Sequence, residues 1–133
     1  MTGYDDGRVA CTDDEIILRH YSMFGRDKHI NYQAIREVRQ FRLSNRGKHR
    51  EHGSSDGVHW FNADPGRKHK DRALVIYITA TKVSVLQTPG DTDEWAKPVM
   101  TPDDPDRVIA ELAAHGVNVT NGEGDEGGCF LPM

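Results

Sequence analysis

The stretch TPDDPDRVIAELAAHG, residues 101–116, predicts the one clear helix of this chain and decides the fold. Asp104 suits the helix cap, because the residue before a proline avoids the α region, and Pro105 suits the first helical position. The apolar side chains that share one face are Val108, Ile109, Leu112 and Ala113. Gly116 is the expected stop. We therefore expect an amphipathic helix that packs one stripe on a sheet.

Short segments typical of β-strands fill the sequence before this helix, with turn signals between them. They lie at 15–21, 28–32, 35–43, 58–62, 73–79, 82–87 and 94–100. Segments 73–79 and 82–87 are rich in β-branched residues and predict a hairpin. Segment 35–43 has no cleanly apolar face, so an edge position or a bulge is expected there. Seven strands and one helix predict a mainly β domain.

The sequence contains the motifs TDDEII at 12–17, INYQAIREV at 30–38, WFN at 60–62 and TPDDP at 101–105. These motifs and the order of elements resemble those of small bacterial pleckstrin-homology-like (PH-like) domain proteins of largely unassigned function. The resemblance implies a bent antiparallel seven-stranded barrel capped by the helix. The chain departs from the eukaryotic PH pattern, whose phosphoinositide motif of a lysine followed by Arg-x-Arg has no match after Lys28, so the resemblance gives little support for lipid binding.

The length of 133 residues suits one domain. We expect a flexible N-terminal tail at 1–10, the PH-like domain at 11–119 and a Gly- and acid-rich C-terminal tail at 120–133. The sequence carries neither a secretion signal nor a membrane-length apolar run, so a cytoplasmic location is expected. Cys11 and Cys129 are expected to be free thiols, with a disulfide between them as the alternative.

The net charge of −4 is unevenly distributed along the chain. Residues 19–72 hold 13 Lys and Arg against 6 Asp and Glu, a net +7, and the remainder holds 4 against 15, a net −11. Two basic loops lie in the positive part, and their possible anion contacts are Arg46, Lys48, Arg50, Arg67, Lys68 and Lys70. If successive strands simply alternate, these two loops lie at opposite ends of the barrel. Solvated loops without a ligand are the competing interpretation.

Other site chemistries find less support in the sequence. Trp60 and Phe61 could form a stacking platform for nucleic acid, but an acidic chain with pI near 5.9 argues against it, and both rings are expected in the core. His49 and His52 lie in a Gly/Ser-flanked loop, which argues against a metal site. Asp103 and Asp104 are explained by helix capping, and no catalytic residues are assigned. No cofactor is predicted.

The sequence therefore predicts a non-catalytic binding or scaffold domain that engages a protein or peptide through a sheet edge or through the groove between strands and helix. The first alternative is a binder of a phosphorylated small molecule or lipid headgroup through the basic loops, with peripheral membrane contact left open. The second alternative is an enzyme of unrecognised type. Self-association through an unpaired strand edge is also compatible with the pattern.

Overall fold

The computed structural model describes residues 3–22, 24–50, 52–53, 59–78, 97–122 and 129–133. The strands are β1 (Tyr4–Asp5), β2 (Val9–Cys11), β3 (Glu15–Leu18), β4 (Lys28–Asn31), β5 (Ile35–Leu43), β6 (His59–Phe61), β7 (Arg72–Ile78), β8 (Lys97–Met100), β9 (Val119–Asn121) and β10 (Phe130–Leu131). The helices are α1 (Asn45–Lys48) and α2 (Pro105–Ala114), with 3-10 turns at Tyr32–Ala34 and Arg67–His69. No helix in these ranges is long and apolar enough to cross a membrane.

The described strands form two sheets. One has the order β1-β2-β3-β4, and the other has the order β10-β5-β7-β8-β6 with β9 also paired to β5. The mainly β class with one full-length helix is confirmed. The sequence predicts one seven-stranded barrel, whereas the described part of the chain divides its strands between two sheets in open order.

Two strand pairs are parallel, so the prediction of antiparallel pairing throughout is wrong. They are β5 with β9 and β6 with β8. Helix α2 follows β8 and precedes β9, and a helical crossover of this kind lets the chain return in the same direction. Strand β9 therefore runs parallel to β5.

The main core lies between the first sheet, one face of the second sheet and α2. Val108 and Leu112 of α2 are fully buried, and Ile109 packs half-buried at the margin. Asp104 caps the helix by accepting a hydrogen bond from the Arg107 N–H at 3.1 Å. The predicted helix is therefore confirmed, and Val108, Ile109 and Leu112 face the core, whereas Ala113, which the sequence places on the same face, is exposed.

A second core covers the opposite face of the second sheet. On β7, Leu74 and Ile76 enter the main core while Val75 and Tyr77 enter the second. Successive strand residues point to opposite faces, so β7 is buried on both sides. This double burial explains why its sequence is a continuous apolar run rather than an alternating one.

Strand β5 is an inner strand with an irregularity near its start. Its register with β7 shifts between Ile35 and Glu37, which confirms the predicted bulge. The alternative of an edge position is wrong, because β7 pairs along one side and β9 and β10 pair along the other. Because β9 and β10 are short, they cover β5 only in part. Polar residues can therefore occur on both faces of β5.

The N-terminal tail predicted at 1–10 is corrected by the structure, because β1 and the start of β2 lie within it. Val9 is fully buried, and Tyr4 is 9% exposed. The Tyr4 hydroxyl donates to Asp6 Oδ2 at 2.6 Å, and Asp6 Oδ1 accepts the Val9 N–H at 2.8 Å. The glycine and aspartate residues that indicated a tail instead form the tight turn between two strands.

The C-terminal tail predicted at 120–133 is also corrected in part. Thr120 and Asn121 belong to β9, and Phe130 of β10 is fully buried. Residues 123–128 lie outside the described residues, as do the predicted strand 82–87 and the first residues of the strand predicted at 94–100.

Candidate functional site

The loop between β3 and β4 carries the most exposed large apolar side chain of the described residues. Phe24 is 86% exposed. The Ser22 hydroxyl accepts hydrogen bonds from the Phe24 N–H at 3.3 Å and the Arg26 N–H at 2.9 Å, and the Tyr21 N–H donates to the Arg26 carbonyl at 2.8 Å. Gly25 adopts φ of 78°, where a side chain is disfavoured. The backbone therefore holds the Phe24 ring in solvent on a bonded turn.

The base of this loop is fixed to β6. The Tyr21 carbonyl accepts hydrogen bonds from His52 Nε2 at 2.8 Å and Trp60 Nε1 at 2.7 Å. The Tyr21 and Trp60 rings also meet at 6.2 Å between centroids. The sequence predicts the Trp60 ring in the core, whereas the ring is half-buried at the margin of the main core and joins β6 to this loop.

Strand β4 follows the loop and is the outer strand of the first sheet in the described ranges. The Tyr32 N–H donates to the Asp14 carbonyl at 3.4 Å. Because hydrogen-bonded and non-hydrogen-bonded pairs alternate along antiparallel strands, this bond shows which residues of β4 bond to β3. Lys28 and Ile30 bond toward β3, so the backbone groups of His29 and Asn31 point away from it. Among the described residues, no further strand pairs with this edge.

The structure brings the two basic loops together. Helix α1 contacts the 3-10 turn Arg67–His69, and the Arg67 guanidinium donates to the Arg50 carbonyl. The expectation that the loops lie at opposite ends is wrong, because β5 pairs directly with β7 while β6 lies beyond β8. Both loops therefore lie where β5 ends and β7 begins.

Two of the six predicted anion contacts, Lys48 and Lys70, already form ion pairs with carboxylates. Lys48 Nζ lies 3.0 Å from Asp71 Oδ1. Lys70 Nζ lies 2.6 Å from Asp64 Oδ2 and 2.9 Å from Asp103 Oδ1. Binding an anion at either lysine would compete with these pairs.

Arg46 and Lys68 are exposed and have no ion-pair partner in the described part of the chain. Arg50 is half-buried, and its guanidinium donates to the His52 carbonyl at 3.3 Å. We call Arg46, Lys48 and Lys68 the basic corner. Of the six predicted contacts, Arg46 and Lys68 are therefore the most available to a ligand.

Arg67 is fully buried and serves the fold. Its guanidinium donates to Thr101 Oγ1 at 3.0 Å and to the Asn62 carbonyl at 2.7 Å, and it lies 4.8 Å from the Phe61 ring centroid. Burial lowers the pKa of Arg67 to about 10, so it is charged at neutral pH. Phe61, covered by this guanidinium, is not available for stacking on a base.

Asp64 is the carboxylate of the same network. Burial alone would raise its pKa, but hydrogen bonds from Lys70 and Thr101 outweigh burial and lower the pKa below its ordinary value. Thr101 Oγ1 donates to Asp64 Oδ2 at 2.9 Å. The network ties the loop before β7 to the segment before α2.

Two of the clefts among the described residues are shallow. One of about 230 Å³ is lined by His69, Lys70, Asp71, Arg72, Pro102, Asp103 and Pro105. One of about 260 Å³ is lined by Glu37, Arg39, Thr120 and Asn121. Both are smaller than typical small-molecule pockets, which span about 300–1,000 Å³.

The residues considered for metal binding have structural contacts. His49 Nδ1 lies 2.8 Å from the Asn45 carbonyl, and His52 bonds the Tyr21 carbonyl. Within the described ranges, no three His, Cys, Asp or Glu side chains come together in a way that could hold a metal ion.

Sequence reasoning missed Phe24. The segment Phe24-Gly25-Arg26-Asp27 reads as a turn, and the signal available was the presence of a large aromatic residue in that turn.

Comparison with known proteins adds no further information, since no family model, curated protein or solved structure matches the chain.

Proposed function

We propose that this chain is a non-catalytic, cytoplasmic binding domain of PH-like architecture that engages a protein or peptide partner through the Phe24 loop and the neighbouring β4 edge. The observation that carries the proposal is the 86% exposure of Phe24 on a hydrogen-bonded turn. Cys11 and Cys129 lie in different cores and form no disulfide, which agrees with a reducing compartment.

A loop whose backbone is already fixed by hydrogen bonds loses little backbone entropy when the Phe24 ring enters a partner's pocket. Aromatic residues also supply a large share of the energy at protein interfaces. The outward N–H and carbonyl of His29 and the outward N–H of Asn31 could add hydrogen bonds to an extended segment of the partner. The Phe24 ring would select a partner with a matching pocket, and the β4 edge would fix the direction of the partner's extended segment.

Photo-crosslinking tests this proposal. A benzoylphenylalanine at position 24 should capture a defined partner in a lysate of the source organism, whereas the same group at Ala114, exposed on α2, should not. Purified partner should bind wild-type protein and lose about tenfold or more in affinity with Phe24→Ser, at unchanged thermal stability. Equal capture from both positions, or equal affinity of the variant, would refute the role of Phe24.

The basic corner supports a second candidate function, the binding of a phosphorylated small molecule or a lipid headgroup. The observation in its favour is the contact between α1 and the 3-10 turn Arg67–His69, which places Arg46 and Lys68 at one end of the sheet. Guanidinium and ammonium groups are suited to phosphate oxygens.

Thermal shift with inorganic phosphate and sedimentation with phosphatidylserine vesicles distinguish the two ligand sources. Arg46→Glu combined with Lys68→Glu should abolish either effect, while Arg36→Glu, an exposed change on β5, should preserve it. Stability and sedimentation that do not respond to either ligand would eliminate this candidate.

A further inference from the structure

The C-terminal segment (Cys129–Met133) occupies an aromatic groove on the second sheet. The Phe130 ring is fully buried and stacks on Phe61, with centroids 5.5 Å apart and an interplanar angle of 2°. The Phe41 ring lies at 5.5 Å and the His59 ring at 4.9 Å. One side chain of the segment thus fills a pocket that belongs to β5 and β6.

The backbone of this segment pairs with the chain as an added strand. Phe130 and Leu131 pair antiparallel with Leu43 and Arg42 of β5. The Ser44 N–H donates to the Cys129 carbonyl at 2.9 Å, and Arg42 Nε donates to the Pro132 carbonyl at 2.9 Å. A short ladder, one anchored side chain and exposed flanking residues are the contacts of a docked peptide.

Gly47 of α1 provides the room for this docking. A Cβ atom at position 47 would overlap the Cys129 carbonyl oxygen and approach Leu43 Cδ2 at 3.0 Å. Alanine is otherwise favoured over glycine within a helix. The absence of a side chain at position 47 therefore serves the segment.

We infer that the groove between β5, β6 and α1 is a peptide-docking site whose resident ligand in cis is the C-terminal segment. Its partner in trans is an extended peptide with one aromatic residue between small or apolar neighbours. Residues 123–128, between Gly122 and this segment, are glycine and acidic in composition. This inference is independent of Phe24 and of the proposed function.

A resident ligand in cis competes with an added peptide at a high effective concentration and raises its apparent dissociation constant. The test uses fluorescence anisotropy with the labelled peptide GGCFLPM, residues 127–133, under reducing conditions. The full chains are wild type, Phe130→Ala, and Phe130→Ala combined with Gly47→Ala. The control peptide carries alanine in place of the phenylalanine.

The Phe130→Ala chain should bind GGCFLPM about tenfold or more tightly than wild type does. The double variant and the control peptide should show no binding, because one blocks the groove and the other lacks the anchor. A folded Phe130→Ala chain that does not bind GGCFLPM would overturn the inference.

If Phe130→Ala unfolds, circular dichroism with excess GGCFLPM decides the question. Restoration of a cooperative melting transition would support docking in trans. Failure to restore it would show that Phe130 is an inseparable part of the core, and the inference would be wrong.

Discussion

At the scale of single residues, the basic side chains divide into two groups that the sequence does not distinguish. Arg67 and Lys68 are adjacent and both appear as cations in a polar loop, yet Arg67 is fully buried and Lys68 is exposed. The buried Arg67 guanidinium donates hydrogen bonds to Asn62 and to Thr101, and Thr101 lies 34 positions away in the sequence. A local pattern holds no information about such a distant partner.

Replacing Arg67 with alanine should lower the free energy of unfolding by about 3 kcal/mol or more, because it leaves a cavity and unpaired buried acceptors. Replacing Lys68 with alanine is the matched control and should change it by no more than about 0.5 kcal/mol. Urea unfolding followed by circular dichroism measures both. Similar effects of the two substitutions would contradict the buried role of Arg67.

The Asp64 carboxylate predicts a pH dependence of stability. Because its pKa is lower in the folded than in the unfolded chain, its stabilisation is present above about pH 4 and is lost as the pH falls through the folded pKa. Asp64→Asn should lower the free energy of unfolding by about 3 kcal/mol at pH 7, because Arg67 and Lys70 lose their buried counter-charge.

The difference in the free energy of unfolding between wild type and Asp64→Asn, measured by urea titration, should become smaller below about pH 4. Asp103→Asn removes the exposed partner of Lys70 and should cost no more than about 1 kcal/mol at pH 7. A difference for Asp64→Asn that stays constant down to pH 2 would argue against the lowered pKa.

At the scale of elements, local signals sufficed for α2 and for most strands before it. Proline, aspartate and glycine mark the bounds of α2 in the sequence, and β5 and β7 lie where their β-type residues predict. The short strands at the two ends were missed, because two or three residues carry no periodicity. β1, β2, β9 and β10 depend on pairing with partners already in place. The same limit hid the candidate site, since neither the position of β4 at the edge of the described first sheet nor the hydrogen-bonded Phe24 turn follows from local composition.

Deleting residues 1–11 should abolish the cooperative thermal transition. The deletion removes β1 and β2 with the buried side chains of Tyr4, Val9 and Cys11. Each large buried apolar side chain contributes about 1.5–3 kcal/mol, and a domain's whole stability is about 5–15 kcal/mol. Deleting only residues 1–2 should leave the transition intact. Calorimetry would reject β1 and β2 as structural elements if both deletions melt like wild type.

At the scale of the whole molecule, the second sheet separates two cores of different construction. The main core combines both sheets and α2, and the second includes Phe130 from the C-terminal segment. A core that includes a short docked segment opens by local release more easily than one that is enclosed by two sheets. Each core contains one cysteine, Cys11 in the main core and Cys129 in the second.

Thiol labelling should therefore distinguish the two cores. Burial raises the pKa of Cys11 to about 12, so its thiolate is scarce in the folded chain and labelling requires global unfolding. Cys129 should react about tenfold or more faster through local release of its segment. Mass spectrometry of Cys11→Ser and Cys129→Ser chains after iodoacetamide treatment measures each rate. Equal rates for the two thiols would argue against separate opening of the second core.

The pairing of β5 with β9 has a consequence for biosynthesis. Val38 pairs with Val119, 81 positions later in the chain. At about 5–20 residues per second, a ribosome needs roughly 4–16 s to extend the chain that far. During this interval the nascent β5 lacks cover on one side and is open to wrong partners, so the period of greatest exposure to aggregation falls before translation reaches α2 and the residues after it.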